Sequence, residues 1–385
     1  MIVICPEHRD GSTPISFIRS TPSIPSSDSN EKQSSKQNPK KRVHYIRLSH
    51  TPSPEVEEGR NAQLRIRLWE MGLVHASLLK LDLGEKLSNL NTSTRDLDMW
   101  KGKMDVHRPG KITFAGHSFG ASTTTQLVKS TFYAPRNAEA PSSYTPLFTP
   151  SSRSPLTSQI TTDSPVILLD PWCLPLRAES TRWLWNLPFP SYTSSSAPGG
   201  SSLLCIESQA FYNWTIHLSA TKRLLSPDPS SKAPFDYKGK GIKEPNFYYA
   251  RSAAHLSQSD FGVLFPWFTK RFLAVEDPER ILRLNVRAVT QVLRNCGIEM
   301  GRTSHADMEM EDANAEPTDN DEMILKREGV EGWLWLSTDI DVESEEKKVE
   351  EGEGEMREPS EAVVGNELLK QKEGTVEKLR GHGKL

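Results

Sequence analysis

No stretch of this sequence approaches the roughly 18 consecutive apolar residues that a membrane-spanning helix needs, so an integral helical membrane protein is excluded. No basic stretch precedes the first apolar residues either. MIVICPEHRD breaks at Pro6, which argues against a secretory leader. Only four cysteines occur, Cys5, Cys173, Cys205 and Cys296, and no two form a C-x-x-C pair. Zinc clusters and disulfide scaffolds are therefore without support, no cofactor or metal is expected, and free thiols in a reducing compartment are the default. The expected location is cytoplasmic or peripheral to membranes. Hydrophobic residues make up 36% of 385, low for such a length, so part of the chain is loop or tail. No repeat of fixed period occurs. The basic residues Lys36, Lys40, Lys41 and Arg42 have no interleaved aromatics, which removes the usual basis for nucleic-acid binding.

What is present is unevenly charged. From Arg302 onward there are 24 acidic and 11 basic residues, a net −13 against +10 for the 301 residues before them. The pattern is a mildly basic body, residues 1–300, followed by a solvated acidic segment, 301–385. The run VESEEKKVEEGEGEMREPSE has too little apolar content to offset the entropy of ordering and is expected to be disordered. Within that segment, GWLWL at 332–336 is apolar enough to dock on the body. Three Ser-, Pro- and Gly-rich stretches in the body, about 12–41, 134–164 and 188–202, read as inserted loops.

The remainder alternates between two periods. MIVICP, KITFA (111–115), PVILL (165–169), SLLCI (202–206) and FYYA (247–250) are short apolar runs with breakers nearby, and read as strands. Residues 61–81 place Leu64, Leu68, Met71, His75 and Leu78 at helical spacing. Residues 119–128, 258–273 and 281–296 also read as helices. Strands separated by helices predict an α/β fold with a mostly parallel sheet covered on both faces. Chemistry in such sheets sits at the carboxyl ends of the strands.

The GHSFG segment at 116–120 follows one of these strands and precedes a helix-compatible run, which is the context a nucleophile elbow requires. Its glycines permit a turn too tight for side chains. Ser118 is thereby presented at a helix amino terminus, and the next amide, Phe119 N–H, points toward a developing oxyanion. A serine hydroxyl needs a base, and the base an orienting acid. The chain order in this architecture is serine, acid, histidine. His255 follows a strand and a small-residue turn and is the base expected. His217 reads as part of an ordinary helix, and His305 and His382 fall in the acidic segment. Asp170 ends the run PVILL just before Pro171 and is the acid expected. Glu207, at the end of SLLCI, is its competitor, and Asp163 lies in a loop.

Several separate blocks in the right order carry a resemblance. GHSFGASTTTQL, LLDPWCLPL, LLCIESQAFYNW and AAHLSQSDFG resemble segments of the platelet-activating factor acetylhydrolase family, and EHRDG at 7–11 resembles another. The resemblance spans Met1 to about Asp10, 61–133 and 165 to about 296, with the insertions excluded. It implies an α/β-hydrolase fold and a calcium-independent serine esterase that removes short or oxidised sn-2 acyl groups from phospholipids. By motif it carries the nucleophile to Ser118, the acid to Asp170 and the base to His255. The family's first strands, and the turn that supplies a second oxyanion amide, would lie upstream of MIVICPEHRD. A second reading follows from that offset, a catalytically impaired hydrolase relic that binds lipid or a partner. A third, a carboxylesterase or cutinase, rests on the elbow alone and explains fewer blocks. Finally, FGVLFPWF at 261–268, followed by Lys270 and Arg271, is unusually apolar and aromatic. It fits either the core face of a helix or a lipid-surface contact beside the catalytic loop.

Overall fold

The computed structural model describes residues 1–18, 41–49, 51–89, 96–231, 233–273, 275 and 277–340. The chain divides into two compact units, Met1–Met104 and the part from Asp105 onward.

In the first unit, strands β1 (Ile15–Ile18) and β2 (Lys41–His44) pair antiparallel, with Ile15 opposite His44 and Ile18 opposite Lys41. The stretch read as an inserted loop thus has paired ends, and residues 19–40 between them lie outside the described residues. Helix α1 (Pro54–Leu83) starts where Ser53 accepts a hydrogen bond from the Val56 amide and stops at Gly84, whose left-handed conformation suits glycine. It buries Leu64 and Leu68 together with polar Gln63, Arg67 and Glu70. The 7–11 block is pinned to this helix. The Arg67 Nε donates to the buried Asp10 carboxylate at 2.5 Å, and Glu70 accepts from the Arg9 Nε at 3.0 Å. Met1–Pro6 forms no strand among the described residues, and its Met1, Ile2, Val3 and Ile4 are exposed.

The second unit is built on a five-stranded sheet of order β3 (Phe114–His117), β4 (Val166–Leu169), β5 (Leu203–Ser208), β6 (Asn246–Ala250), β7 (Trp333–Trp335). The first four strands are parallel and β7 is antiparallel to β6. Parallel strands are covered on both faces, which explains why LLCIES is buried at every position. Helix α2 (Phe119–Tyr133) follows β3, α3 (Thr215–Leu225) follows β5, and α4 (Pro278–Asn295) follows β6. The face of α4 carrying Ile281, Leu284, Ala288 and Val292 packs with Ile167, Leu204, Ile206 and Tyr248 of the sheet.

The charge boundary near residue 300 is not where the fold ends. Arg287 holds Asp321 through a buried two-pronged ion pair at 2.6 and 2.9 Å. Ile324 is fully buried, and Trp333 donates its indole N–H to the Ile324 carbonyl at 3.0 Å while stacking on Tyr248. The GWLWL patch therefore docks, and it docks as a strand. Residues 341–385, where the expected disordered run falls, lie outside the described residues.

Two of the predicted insertions are also packed. Leu147, Leu156 and Ile160 of 134–164 are buried, as are Phe189, Gly199 and Gly200 of 188–202. The helix expected over 258–273 is broken into a 3-10 turn and two short helices, Phe261–Leu264 and Pro266–Phe272. Proline lacks the N–H a continuous helix needs and keeps its predecessor from helical geometry, and Phe265 is indeed at φ −128° and ψ 57°. No helix among the described residues is long and apolar enough to cross a membrane.

Candidate active site

Strand β3 runs two residues further than KITFA suggests and delivers His117 to the carboxyl edge of the sheet. Ser118 follows at φ 55° and ψ −121°, a left-handed backbone that a non-glycine residue adopts only where the surroundings enforce it. Its amide donates to the Leu169 carbonyl at 2.9 Å, and its own carbonyl accepts from the Ala121 amide of α2 at 3.0 Å. Gly116 is needed for this turn, since a Cβ there would lie 2.3 Å from the Gly120 backbone. Gly120 itself has open space around the equivalent position. The Phe119 amide opens the first turn of α2, directly after the serine.

Asp170 is one residue past β4, as Ser118 is one past β3, and His117 and Leu169 are paired in register. The two residues therefore sit side by side. Asp170 is fully buried and also has positive φ, 41°. Its Oδ1 accepts from the Ser208 amide at 2.6 Å and its Oδ2 faces the His255 Nδ1 at 2.9 Å. His255 begins the 3-10 turn His255–Gln258 after β6. Its ring stacks on Phe211 with centroids 4.6 Å apart and meets the His117 ring at 4.4 Å. Of the residues that the sequence singled out, the structure brings Ser118, Asp170 and His255 to one edge of the sheet. The hydrogen bond expected between the Ser118 hydroxyl and His255 is not formed. Such bonds are often open until substrate binds.

Glu207 does not face the His255 Nδ1. It is fully buried in β5, and neither carboxyl oxygen is hydrogen-bonded. Burial, and next the nearby charge of Asp170, push its pKa up to about 8. His217 lies on α3, as its sequence context predicts, and its Nε2 accepts from the Cys173 amide at 2.9 Å. Burial holds its pKa down at about 3, so it stays neutral. His305, set aside from the sequence, is exposed and bonded to the Ala315 carbonyl.

Three features of the site were not anticipated. The Ser208 amide orients Asp170, Phe211 braces the imidazole, and His117 flanks it from the other element. Burial, and next the His255 charge, lower the His117 pKa to about 4. A backbone donor leaves no mark on a sequence. His117 occupies the variable second position of the elbow pattern, where nothing singles it out.

Comparison with protein families matches residues 1–316 to the family described as platelet-activating factor acetylhydrolase, isoform II. Comparison with curated proteins returned no match.

The Glu207 environment makes a prediction. A carboxyl whose folded pKa stands at about 8, above its ordinary 4.5, favours folding in its protonated form. That contribution is complete below the ordinary value and is lost as pH rises through the folded one. Glu207→Gln mimics the protonated carboxyl and removes the dependence. Urea denaturation at stepped pH should show the wild type losing stability relative to E207Q between about pH 5 and 8, with a constant difference above about pH 9. A pH-independent difference would contradict this.

Proposed function

The chain belongs to the platelet-activating factor acetylhydrolase family, whose members hydrolyse ester bonds of phospholipids, and on that basis we propose that it is a serine esterase acting at the sn-2 position. The acyl group removed is acetyl or a short or oxidised chain. The observation that carries the reading is the buried Asp170 carboxylate on the His255 Nδ1, beside a serine held at positive φ on an elbow.

The chemistry follows from these positions. With Nδ1 donating to Asp170, the His255 Nε2 carries the ring's lone pair. That nitrogen takes the proton of Ser118 as its Oγ attacks the ester carbonyl. The carbonyl oxygen gains negative charge and accepts from the Phe119 amide, aided by the positive end of the 15-residue helix α2. Collapse of the tetrahedral intermediate transfers the proton from His255 to the departing lysophospholipid oxygen and leaves an acyl-serine. Water, deprotonated by the same imidazole, then releases the acid. Asp170 keeps its charge and holds the ring, with Phe211 limiting the ring's tilt. No step requires calcium.

A lipid surface is the source of substrate in this reading. Leu264, Phe265 and Trp267, just beyond the His255 turn, are 62%, 53% and 73% exposed, and Lys270 and Arg271 are exposed beside them. These residues do not form the core face of a helix. Rings at the headgroup boundary with cations meeting phosphates fit that exposure.

A fluorophosphonate should label the wild type but not Ser118→Ala, and hydrolysis of p-nitrophenyl acetate should exceed that of long-chain esters and survive EGTA. Asp170→Asn should lower kcat by about 10⁴, the usual size when the base loses its orienting acid. Undiminished labelling of S118A, or activity that returns only with calcium, would refute the mechanism. Separately, Trp267→Ala should weaken sedimentation with phosphatidylcholine vesicles several-fold while leaving p-nitrophenyl acetate hydrolysis nearly unchanged. Equal vesicle binding by both proteins would refute the surface contact.

A further inference from the structure

One ring nitrogen of His117, one of His255 and one carboxylate oxygen of Asp170 all lie within 4.8 Å of one another. This is a donor set of two imidazoles and a carboxylate, the kind that binds zinc and copper ions. A hard cation such as calcium prefers six to eight oxygens and has no such shell here. The His117 Nε2 is buried without a hydrogen-bond partner. An orphaned buried polar atom is costly, and a nitrogen with no partner beside two further donors suits a ligand that supplies one. Two of the three donors, Asp170 Oδ2 and His255 Nδ1, are already 2.9 Å apart. Neighbouring ligands of a tetrahedral ion with bonds of about 2.0–2.2 Å stand roughly 3.3–3.6 Å apart, so the pair opens by about half an ångström to admit the ion. The third sits on a ring whose centroid lies 4.4 Å from that of His255. The strand and turn that carry these residues are fixed by the sheet, so the site is largely preformed.

We infer that His117, Asp170 and His255 form an inhibitory site for a zinc-like transition-metal ion, at which the ion takes the place of the Asp170–His255 hydrogen bond. The inhibitory part rests on the esterase reading above, and the binding part does not. A neutral imidazole has one lone pair. When His255 gives it to the ion through Nδ1, the ring proton moves to Nε2. That nitrogen then has nothing with which to accept the Ser118 proton, and hydrolysis stops. No atom is oxidised or reduced, and chelation of the ion restores the original tautomer. Sensitivity to the ion is thus conferred by a residue, His117, that flanks the His255 ring but neither takes nor gives a proton in the proposed reaction.

The test uses the full chain and zinc chloride, with His117→Phe as the main variant because phenylalanine keeps a ring against His255 and lacks nitrogen. The exposed thiol of Cys5 is present in both proteins, so the difference between them reports the cluster. Calorimetry should give one zinc site in the wild type that H117F loses or binds at least about tenfold more weakly. Zinc should suppress p-nitrophenyl acetate hydrolysis by the wild type, EDTA should restore it, and H117F, scored against its own zinc-free rate, should show half-inhibition raised by a similar factor. Retained fluorophosphonate labelling shows that the variant is folded, and His117→Gln serves in its place if it is not. Equal zinc affinity in wild type and variant, or no zinc site in the wild type, overturns the proposal. Should the chain prove to have no esterase activity, the calorimetric arm on Ser118→Ala still decides whether the site exists, separating failure of this inference from failure of the functional reading.

Discussion

Burying a carboxylate as deeply as Asp170 costs several kcal/mol unless its oxygens are satisfied, and much of the second unit is arranged to satisfy them. The Ser208 amide takes one oxygen, which requires β5 to run two residues past its register with β4. The His255 imidazole takes the other, which requires β6 to end in a turn at the same edge. The Asp170 amide donates to the Ile206 carbonyl at 2.8 Å, so the residue is held from both its backbone and its side chain. Parallel pairing of β3, β4 and β5 then brings the serine turn alongside. Asp170, His255 and the Ser118 turn meet as a consequence of one sheet edge, although up to 137 positions separate them in the chain (Ser118 to His255).

The same edge treats its two acidic residues in opposite ways. Asp170 has an amide and an imidazole. Glu207, one position before Ser208, has no hydrogen-bond partner for its carboxyl, and its pKa rises to about 8. A carboxyl that stays protonated at neutral pH cannot orient an imidazole by charge. That is the physical basis for preferring Asp170 as the acid, and it comes from environment rather than from chain position. Both residues end apolar runs, so the sequence alone ranks them only by which strand they terminate.

Much of this was legible. Parallel strands are buried on both faces and spell continuous apolar runs, so β4, β5 and β6 stand out in PVILL, SLLCI and FYYA. The pattern at 116–120 reveals the elbow, with Gly116 required because a Cβ there would strike the Gly120 backbone. Other features were masked. GWLWL stands out from its acidic surroundings as a docking patch, but nothing in its three central residues marks them as the antiparallel edge strand β7. The buried Arg287–Asp321 pair reads in sequence as two more solvated charges. Pro-rich segments at 134–164 and 188–202 look like loops, but they pack against the body and contain short helical turns. His117 shows its place only once β6 has folded back to bring His255 against it.

The account turns on whether Ser118 carries the acyl group. The most direct measurement is intact-protein mass spectrometry of the wild-type chain mixed with p-nitrophenyl acetate and quenched in acid within the first turnover, followed by peptide mapping. The account predicts an added mass of about 42 Da, one acetyl group, located on Ser118 and decaying as acetate is released. Turnover with no acylated intermediate, or acetyl found on another residue while Ser118 stays unmodified, would contradict it.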